Sequence, residues 1–113
     1  ECAIPLYGDG LHLRDWMSVF DHIRAIDTIV RPAKNGQSYI IGSRKEKTNR
    51  DLLLDICRLL DGIHPRKSSG SYQQLITPIS DRLGHDRRYA SDASKLRDEL
   101  GWQPTISLEQ GLA

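Results

Sequence analysis

The chain has 113 residues, with sixteen Lys and Arg against fifteen Asp and Glu and a formal net charge of +1. That near balance argues against a general nucleic-acid or membrane-surface binder, which would carry a basic excess, and no apolar run reaches transmembrane length. The length suits one domain with a modest core.

Two distant cysteines, Cys2 and Cys57, make no disulfide framework, and Cys57 falls inside an apolar helical pattern as a buried thiol. A reducing cytoplasm is the expected setting. The four histidines, His12, His22, His64 and His85, are scattered with no pair at ligand spacing, so no metal site is expected. The chain opens Glu1-Cys2 and stops at Gly111-Leu112-Ala113 within a helical pattern. It reads as part of a longer protein, with residues 1–113 forming one binding region.

Residues 5–10 read as an irregular, glycine-punctuated loop in which Tyr7 offers a flat ring to a base or sugar. Leu11 to Arg14 alternates and, with Asp15-Trp16, predicts a short strand whose end aims Arg14 toward a cleft. A helix follows over residues 21–33, capped by Asp21, with Ile23, Ile26, Ile29 and Val30 on one face and Pro32, Asn35 and Gly36 as breakers. His22, one turn from the cap, has a structural reading. Ser38 to Ile41 is β-branched and aromatic, which predicts a short buried strand stopped by Gly42.

Residues 43–47 read as a charged loop leading to a second helix from Thr48, where Thr48 and Asp51 have capping-box spacing. Leu52, Leu53, Ile56, Cys57, Leu59 and Leu60 give its apolar face, and Gly62 its stop. Asn49 falls in the first turn, where unpaired N–H groups favour anions and its amide can meet a phosphate, ribose or base. It can equally serve as an accessory cap. Residues 64–74 are polar and predict a mobile surface loop; Leu75 to Ile79 predicts an edge strand because Pro78 cannot donate to a central ladder.

The next ten residues, Asp81-Arg82-Leu83-Gly84-His85-Asp86-Arg87-Arg88-Tyr89-Ala90, hold three arginines, two acids and a histidine with few apolar side chains. Arginine's planar fork suits a phosphate, and Gly84 permits a sharp turn, so the segment reads as an anion clamp or as a solvated turn whose charges pair with one another. Its end, Arg88 to Ala90, can extend as a strand. Asp92 is expected to cap a third helix with Ala93, Leu96 and Leu100 inward; Gly101 closes it and Trp102 folds back. Ser107 and Gln110 repeat the capping-box spacing ahead of a fourth helix. The class is α/β, with strands too few and short for a full doubly wound sheet. Tyr7 with Arg14, Asn49, and Arg82 with His85 are the groups expected to converge on a nucleoside diphosphate.

These residues carry a family resemblance. Tyr7-Gly8-Asp9-Gly10, Arg14-Asp15-Trp16, Val19 with Asp21-His22, Tyr39 with Ile41-Gly42, Thr48-Asn49, Asp81-Arg82, Gly84 to Ala90 and Glu99 to Trp102 together resemble the C-terminal substrate-binding lobe of the dTDP-glucose 4,6-dehydratases. Those are extended short-chain dehydrogenases. The resemblance runs nearly the whole chain; the Asp81 to Ala90 segment is its specific part, whereas Arg-Asp-Trp is shared with related sugar-nucleotide enzymes. It implies that Pro5, Leu6 and Tyr7 line the nucleotide site and that Arg14 contacts the phosphates. It also implies substrate binding by Asn49, Arg82, Leu83, Gly84, His85 and Asp86. A full-length member binds NAD in an N-terminal domain, converts a dTDP-glucose substrate to dTDP-4-keto-6-deoxyglucose and forms a homodimer.

The sequence departs from that pattern at Leu83, where a proline is usual, and at Ser18, Phe20 and Ile40. Leu83 loosens the turn that carries Arg82. No glycine-rich dinucleotide fingerprint is present and no Tyr-x-x-x-Lys: Leu11, Ser43, Ile76 and Ala93 stand four residues after Tyr7, Tyr39, Tyr72 and Tyr89. The expectation is a binding lobe with no catalytic residue and no cofactor or metal of its own. The alternatives are the lobe of a related sugar-nucleotide epimerase or decarboxylase, and a non-catalytic nucleotide-binding or interaction module.

Overall fold

The computed structural model describes residues 2–31 and 36–112. Its elements run β1 (Ile4–Tyr7), β2 (Leu13–Asp15), α1 (Val19–Val30), β3 (Glu46–Thr48), α2 (Asn49–Ile63), a 3₁₀ turn (Tyr72–Leu75), β4 (Ile76–Ile79), α3 (Ser94–Leu100) and α4 (Leu108–Leu112). This mixed architecture agrees with the α/β expectation. The chain divides into two compact units, residues 1–14 with 47–88 and residues 15–46 with 89–113.

In the first unit β1 lies parallel to β4, with Pro5 opposite Thr77 and Leu6 opposite Pro78. Residues 4–7 are therefore a strand, not the start of an irregular loop. A two-stranded sheet leaves both strands as edges, where the missing proline N–H groups cost no ladder bond. The irregular stretch begins only at Gly8, whose φ is +58°. Thr48 caps α2 as expected, its hydroxyl oxygen accepting from Asp51 N at 3.0 Å. The Asp51 carboxylate is too short to reach back to the cap's N–H and accepts the Thr48 hydroxyl at 2.6 Å instead.

Gly62 does not stop α2; the helix continues to Ile63, and His64 N closes on Leu60 O at 2.8 Å. Leu52 and Cys57 are buried on the helix, and burial, with Asp61 nearby, pushes the Cys57 thiol above its ordinary range. The polar 64–74 stretch is tethered. Asp61 accepts from Tyr72 N at 2.9 Å and from the Ser71 hydroxyl, and Arg66 donates to Ser71 O at 3.0 Å. Leu75 belongs to the 3₁₀ turn, so β4 starts one residue later than expected. Glu46–Thr48, read as the end of a charged loop, forms β3 and pairs with β2. Of Arg88 to Ala90, Arg88 makes one bridge to Leu13 and no strand follows.

In the second unit α1 is capped by Ser18, whose Oγ accepts from Phe20 N at 3.3 Å, rather than by Asp21. Asp21 sits one turn inside and is fully buried. Its carboxylate accepts from Ile106 N at 2.9 Å, Thr105 N at 3.1 Å and Arg24 Nη1 at 2.9 Å. Burial alone would raise its pKa; the Ile106 and Thr105 amides, the Thr105 hydroxyl and Arg24 outweigh that and hold it below the usual range.

With Asp21 and Ala25 inward, most of the apolar stripe expected to face a core faces outward: Ile23 is 56% exposed, Ile26 45% and Val30 76%. Ile29 alone of the four packs on the core. Pro32, Ala33 and Asn35, expected at the end of this helix, lie outside the described residues.

The core of this unit is Ala25, Ala93, Leu96 and Trp102, flanked by Met17, Ile29, Tyr39, Ile41 and Leu100. Tyr39 and Ile41 thus pack on the core half-buried, while Ser38 and Ile40 are exposed and the expected buried strand does not form. The chain just beyond them is held by a carboxylate instead of a ladder: Asp15 accepts from Ser43 N at 2.9 Å and Arg44 N at 3.2 Å. Asp92 Oδ1 accepts from Ser94 N at 3.0 Å at the start of α3. Gly101 ends the helix at φ +69°, and Trp102 folds back as expected. Ser107 and Gln110 form the reciprocal box, with Ser107 N to Gln110 Oε1 at 2.8 Å and Gln110 N to Ser107 Oγ at 3.2 Å.

Candidate functional site

The first unit gathers the chemistry-bearing residues. β1 ends at Tyr7, and Gly8 N donates to Ile79 O at 2.9 Å, so the ends of β1 and β4 leave the sheet together. Asp81, Arg82 and His85 follow directly. His85 N donates to Arg82 O at 3.2 Å, and Gly84 has φ +71°, which makes 82–85 a type II turn with Leu83 at its second position.

That turn bends His85 back so that its Nδ1 meets Asp81 Oδ1 at 2.7 Å. On the other carboxylate oxygen, His12 Nε2 meets Asp81 Oδ2 at 3.1 Å. The two imidazoles stack with centroids 3.7 Å apart and planes 18° apart. Arg82 Nη2 lies 3.0 Å from His85 Nε2, and its guanidinium carbon lies 4.9 Å from the centre of the Tyr7 ring. A guanidinium only donates, so His85 Nε2 accepts and Nδ1 carries the proton toward Asp81. The His85 hydrogen bond is the largest influence holding Asp81 below the ordinary carboxylate range; partial burial opposes it, and the Arg82 amide and both histidines assist.

Arg87 forms a bidentate pair with Asp9 at 2.8 and 3.0 Å, and Asp9 also accepts from Leu11 N at 2.9 Å. The Arg87 hydrogen bond, with that amide, lowers Asp9 to about 2. Arg14 donates to Leu13 O at 2.6 Å and to Asp86 O at 2.9 Å, so its guanidinium also braces the backbone of the arginine segment. In this segment Arg87 is paired with Asp9, while Arg82 lies beside the Tyr7 and His85 rings.

The expected groups meet unevenly. Tyr7, Arg82 and His85 are in mutual contact, and Arg14 reaches Asp86. Asn49 N donates to His12 O at 3.0 Å and Arg50 N to Gly10 O at 2.9 Å, so these first amides of α2 are already used and do not await an anion. Only the Asn49 side chain remains for a ligand. Pro5 is exposed in β1, and Leu6 fills the space beside Gly10, where an added Cβ would lie 2.7 Å from Leu6 Cδ2. Leu83 is wholly exposed at the turn tip.

His12 and Asp81 escaped the sequence reading as partners, because they lie 69 positions apart and only the β1–β4 pairing brings their loops together. Gly8 was the available signal: a Cβ there would stand 3.0 Å from the Asp81 carboxyl carbon. His12, Asp81 and His85 are also the cluster of metal-capable groups found among the described residues. A metal held by both imidazoles must lie near both ring planes, and stacked planes only 18° apart do not meet close to the nitrogens. The cluster is built for hydrogen bonding.

Leu83 sits where a type II turn favours proline. Leu83→Pro should raise stability by about 0.4–1 kcal/mol by restricting the unfolded chain, measured by urea denaturation.

A family profile described as GDP-mannose 4,6 dehydratase matches residues 2–113. A dTDP-glucose 4,6-dehydratase of Shigella flexneri is 50% identical over 110 residues, 97% of this chain and 30% of that protein. One from Xanthomonas campestris pv. campestris (strain B100) is 46% identical over 97% of this chain and 31% of its own length. Among solved structures, a dTDP-glucose 4,6-dehydratase from Bacillus anthracis in complex with NAD is 41% identical with a TM-score of 0.82, over 98% of this chain and 32% of that one. A UDP-glucose 4-epimerase from Thermotoga maritima, solved with UDP-glucose, is 27% identical with a TM-score of 0.76, over 97% of this chain and 32% of that one. The chain thus spans about a third of the length of the relatives it matches.

Proposed function

The chain belongs to the GDP-mannose 4,6 dehydratase family, and on that premise we propose that it is the nucleotide-sugar-binding region of a dTDP-glucose 4,6-dehydratase. The observation that carries this reading is the Tyr7, Arg82 and His85 constellation, where a charged fork lies against an aromatic ring at the end of a parallel strand pair. Tyr7 offers its ring to the base or sugar. Arg82 and Arg14 answer the diphosphate, and the Asn49 amide adds one directional bond. By resemblance to the family, Pro5, Leu6, Leu83, Gly84 and Asp86 belong to the same binding region.

The residues here do not fit a dinucleotide, because they offer neither a glycine-rich phosphate turn nor a Tyr-x-x-x-Lys pair. On this reading NAD, the hydride carrier, belongs to an N-terminal domain of the full-length enzyme, and these 113 residues alone do not catalyse. The outward stripe of Val19, Phe20, Ile23 and Ile26 on α1 supports a protein partner, since a contiguous apolar face is costly in water. The rest of the enzyme, working as a cytoplasmic homodimer, is the proposed cover. No described helix is long and apolar enough to cross a membrane.

Competition between dTDP and UDP for the full-length gene product tests the assignment. Preference for dTDP, with NAD-dependent conversion of dTDP-glucose, supports it. Preference for UDP with epimerisation would place the chain with the epimerases, and binding of neither would leave an interaction module.

A further inference from the structure

The Asp81 carboxylate has no redundant oxygen. Oδ1 takes the His85 Nδ1–H and the Arg82 N–H, and Oδ2 takes the His12 Nε2–H. His12 is 2% exposed, and its other nitrogen, Nδ1, is buried without a partner among the described residues. A second proton on His85 would remove the lone pair that receives Arg82 and set two cations against each other at 3.0 Å. The arrangement closes with Asp81 ionised and the His85 Nε2 lone pair free to accept from Arg82.

We propose that Asp81, anchored by buried His12, is a positioning residue: it fixes His85 as the Nδ1–H tautomer, whose bare Nε2 aims the Arg82 guanidinium across Tyr7 at the ligand diphosphate. This rests on the reading of Arg82 given under Proposed function. The groups facing His85 are Asp81 and Arg82 on its own segment, His12 stacked on its ring and Tyr7 at its edge. Arg87 is nearby but already spent on Asp9. Acidification then weakens nucleotide binding through His85, and Asp81→Asn does so at neutral pH. An asparagine that keeps its oxygen on the His85 Nδ1–H and the Arg82 N–H must turn its NH₂ to His12 Nε2, so the buried ring has to change tautomer and the anchor is lost.

The test uses dTDP as the probe with the full-length gene product, titrated from about pH 8 to about pH 5, the span in which imidazoles change charge. Arg82→Ala establishes the clamp, with an expected loss of roughly tenfold or more. Asp81→Asn should lose about tenfold while keeping its circular dichroism. In His85→Gln the carbonyl of glutamine accepts from Arg82 but does not titrate, so the extra loss of affinity seen on acidifying the wild type should vanish. Subtracting the two pH profiles removes the ionisation of dTDP itself.

Should Asp81→Asn misfold, long-range ¹H–¹⁵N spectra of the wild type still decide the matter: His85 protonated at Nδ1 supports the proposal, and protonated at Nε2 overturns it. If Arg82→Ala loses affinity while Asp81→Asn and the pH profile of His85→Gln match the wild type, the positioning role fails and the binding reading stands. If Arg82→Ala binds normally, both fall.

Discussion

Replacing Asp21 with alanine should destabilise the protein by about 3 kcal/mol, the scale for removing a buried charge whose partners then lie unpaired. The carboxylate is fully buried and accepts the Thr105 and Ile106 amides, the Thr105 hydroxyl and Arg24. Alanine leaves the two amides facing a small void with no acceptor. Asn should recover only part of the loss, because its NH₂ would point at groups that themselves donate. Thermal and urea denaturation measure both variants.

The sign with pH follows from the lowered pKa of Asp21. A depressed carboxyl contributes stability that is present above the unfolded value, near 4, and lost as pH falls below it. Wild-type stability should therefore decline below about pH 4 more steeply than that of Asp21→Ala. Equal slopes would remove Asp21 from the acid response.

Replacing Arg82 with alanine should weaken dTDP binding to the full-length gene product by roughly 10- to 100-fold, equivalent to about 1.5–3 kcal/mol for charge-assisted hydrogen bonds. Arg82 is solvent-facing, which favours the lower half of that range. Lysine should rescue only in part: it restores the charge but neither stacks flat on Tyr7 nor presents a fork to a diphosphate. Fold stability should change little, since the guanidinium contacts an aromatic face and one imidazole rather than a buried carboxylate. Isothermal titration calorimetry reads the affinity, and unchanged binding in both variants would take Arg82 out of the site.

Local signals in the sequence were legible where one residue decides one turn. The Thr48 cap, the Ser107 and Gln110 box, and the Gly101 stop with Trp102 form as their spacing predicts, because caps and left-handed stops act within four residues. Two local readings failed, Asp21 as the cap of α1 and Gly62 as the stop of α2; the other failures depended on partners far along the chain. The β-branched run at Ser38 to Ile41 has strand propensity but no neighbouring strand; Asp15 takes the amides that follow it. Residues 4–7 look irregular alone and become a strand because β4, seventy residues on, supplies the ladder. On α1 the apolar periodicity was real but did not say which face this chain covers; Asp21 and Ala25 are buried while Ile23 and Ile26 face outward.

The site divides in the same way. Arginine chemistry and the turn at Gly84 could be read from composition, and Tyr7 was recognisable as an exposed ring beside a glycine. The pairing of His12 with His85 through Asp81 was not, since stacking of two rings 73 positions apart leaves no mark in sequence spacing. Arg14 shows the reverse: its type suggested phosphate, and its guanidinium is bonded to the backbone of the arginine segment at Asp86.

The most direct test of the central claim is a crystal structure of the full-length gene product with dTDP bound. The diphosphate oxygens should lie against the Arg82 and Arg14 guanidinium groups, with the ring of Tyr7 against the nucleoside. Diphosphate density at another site, with Arg82 still stacked on Tyr7 and touching no ligand, would contradict it.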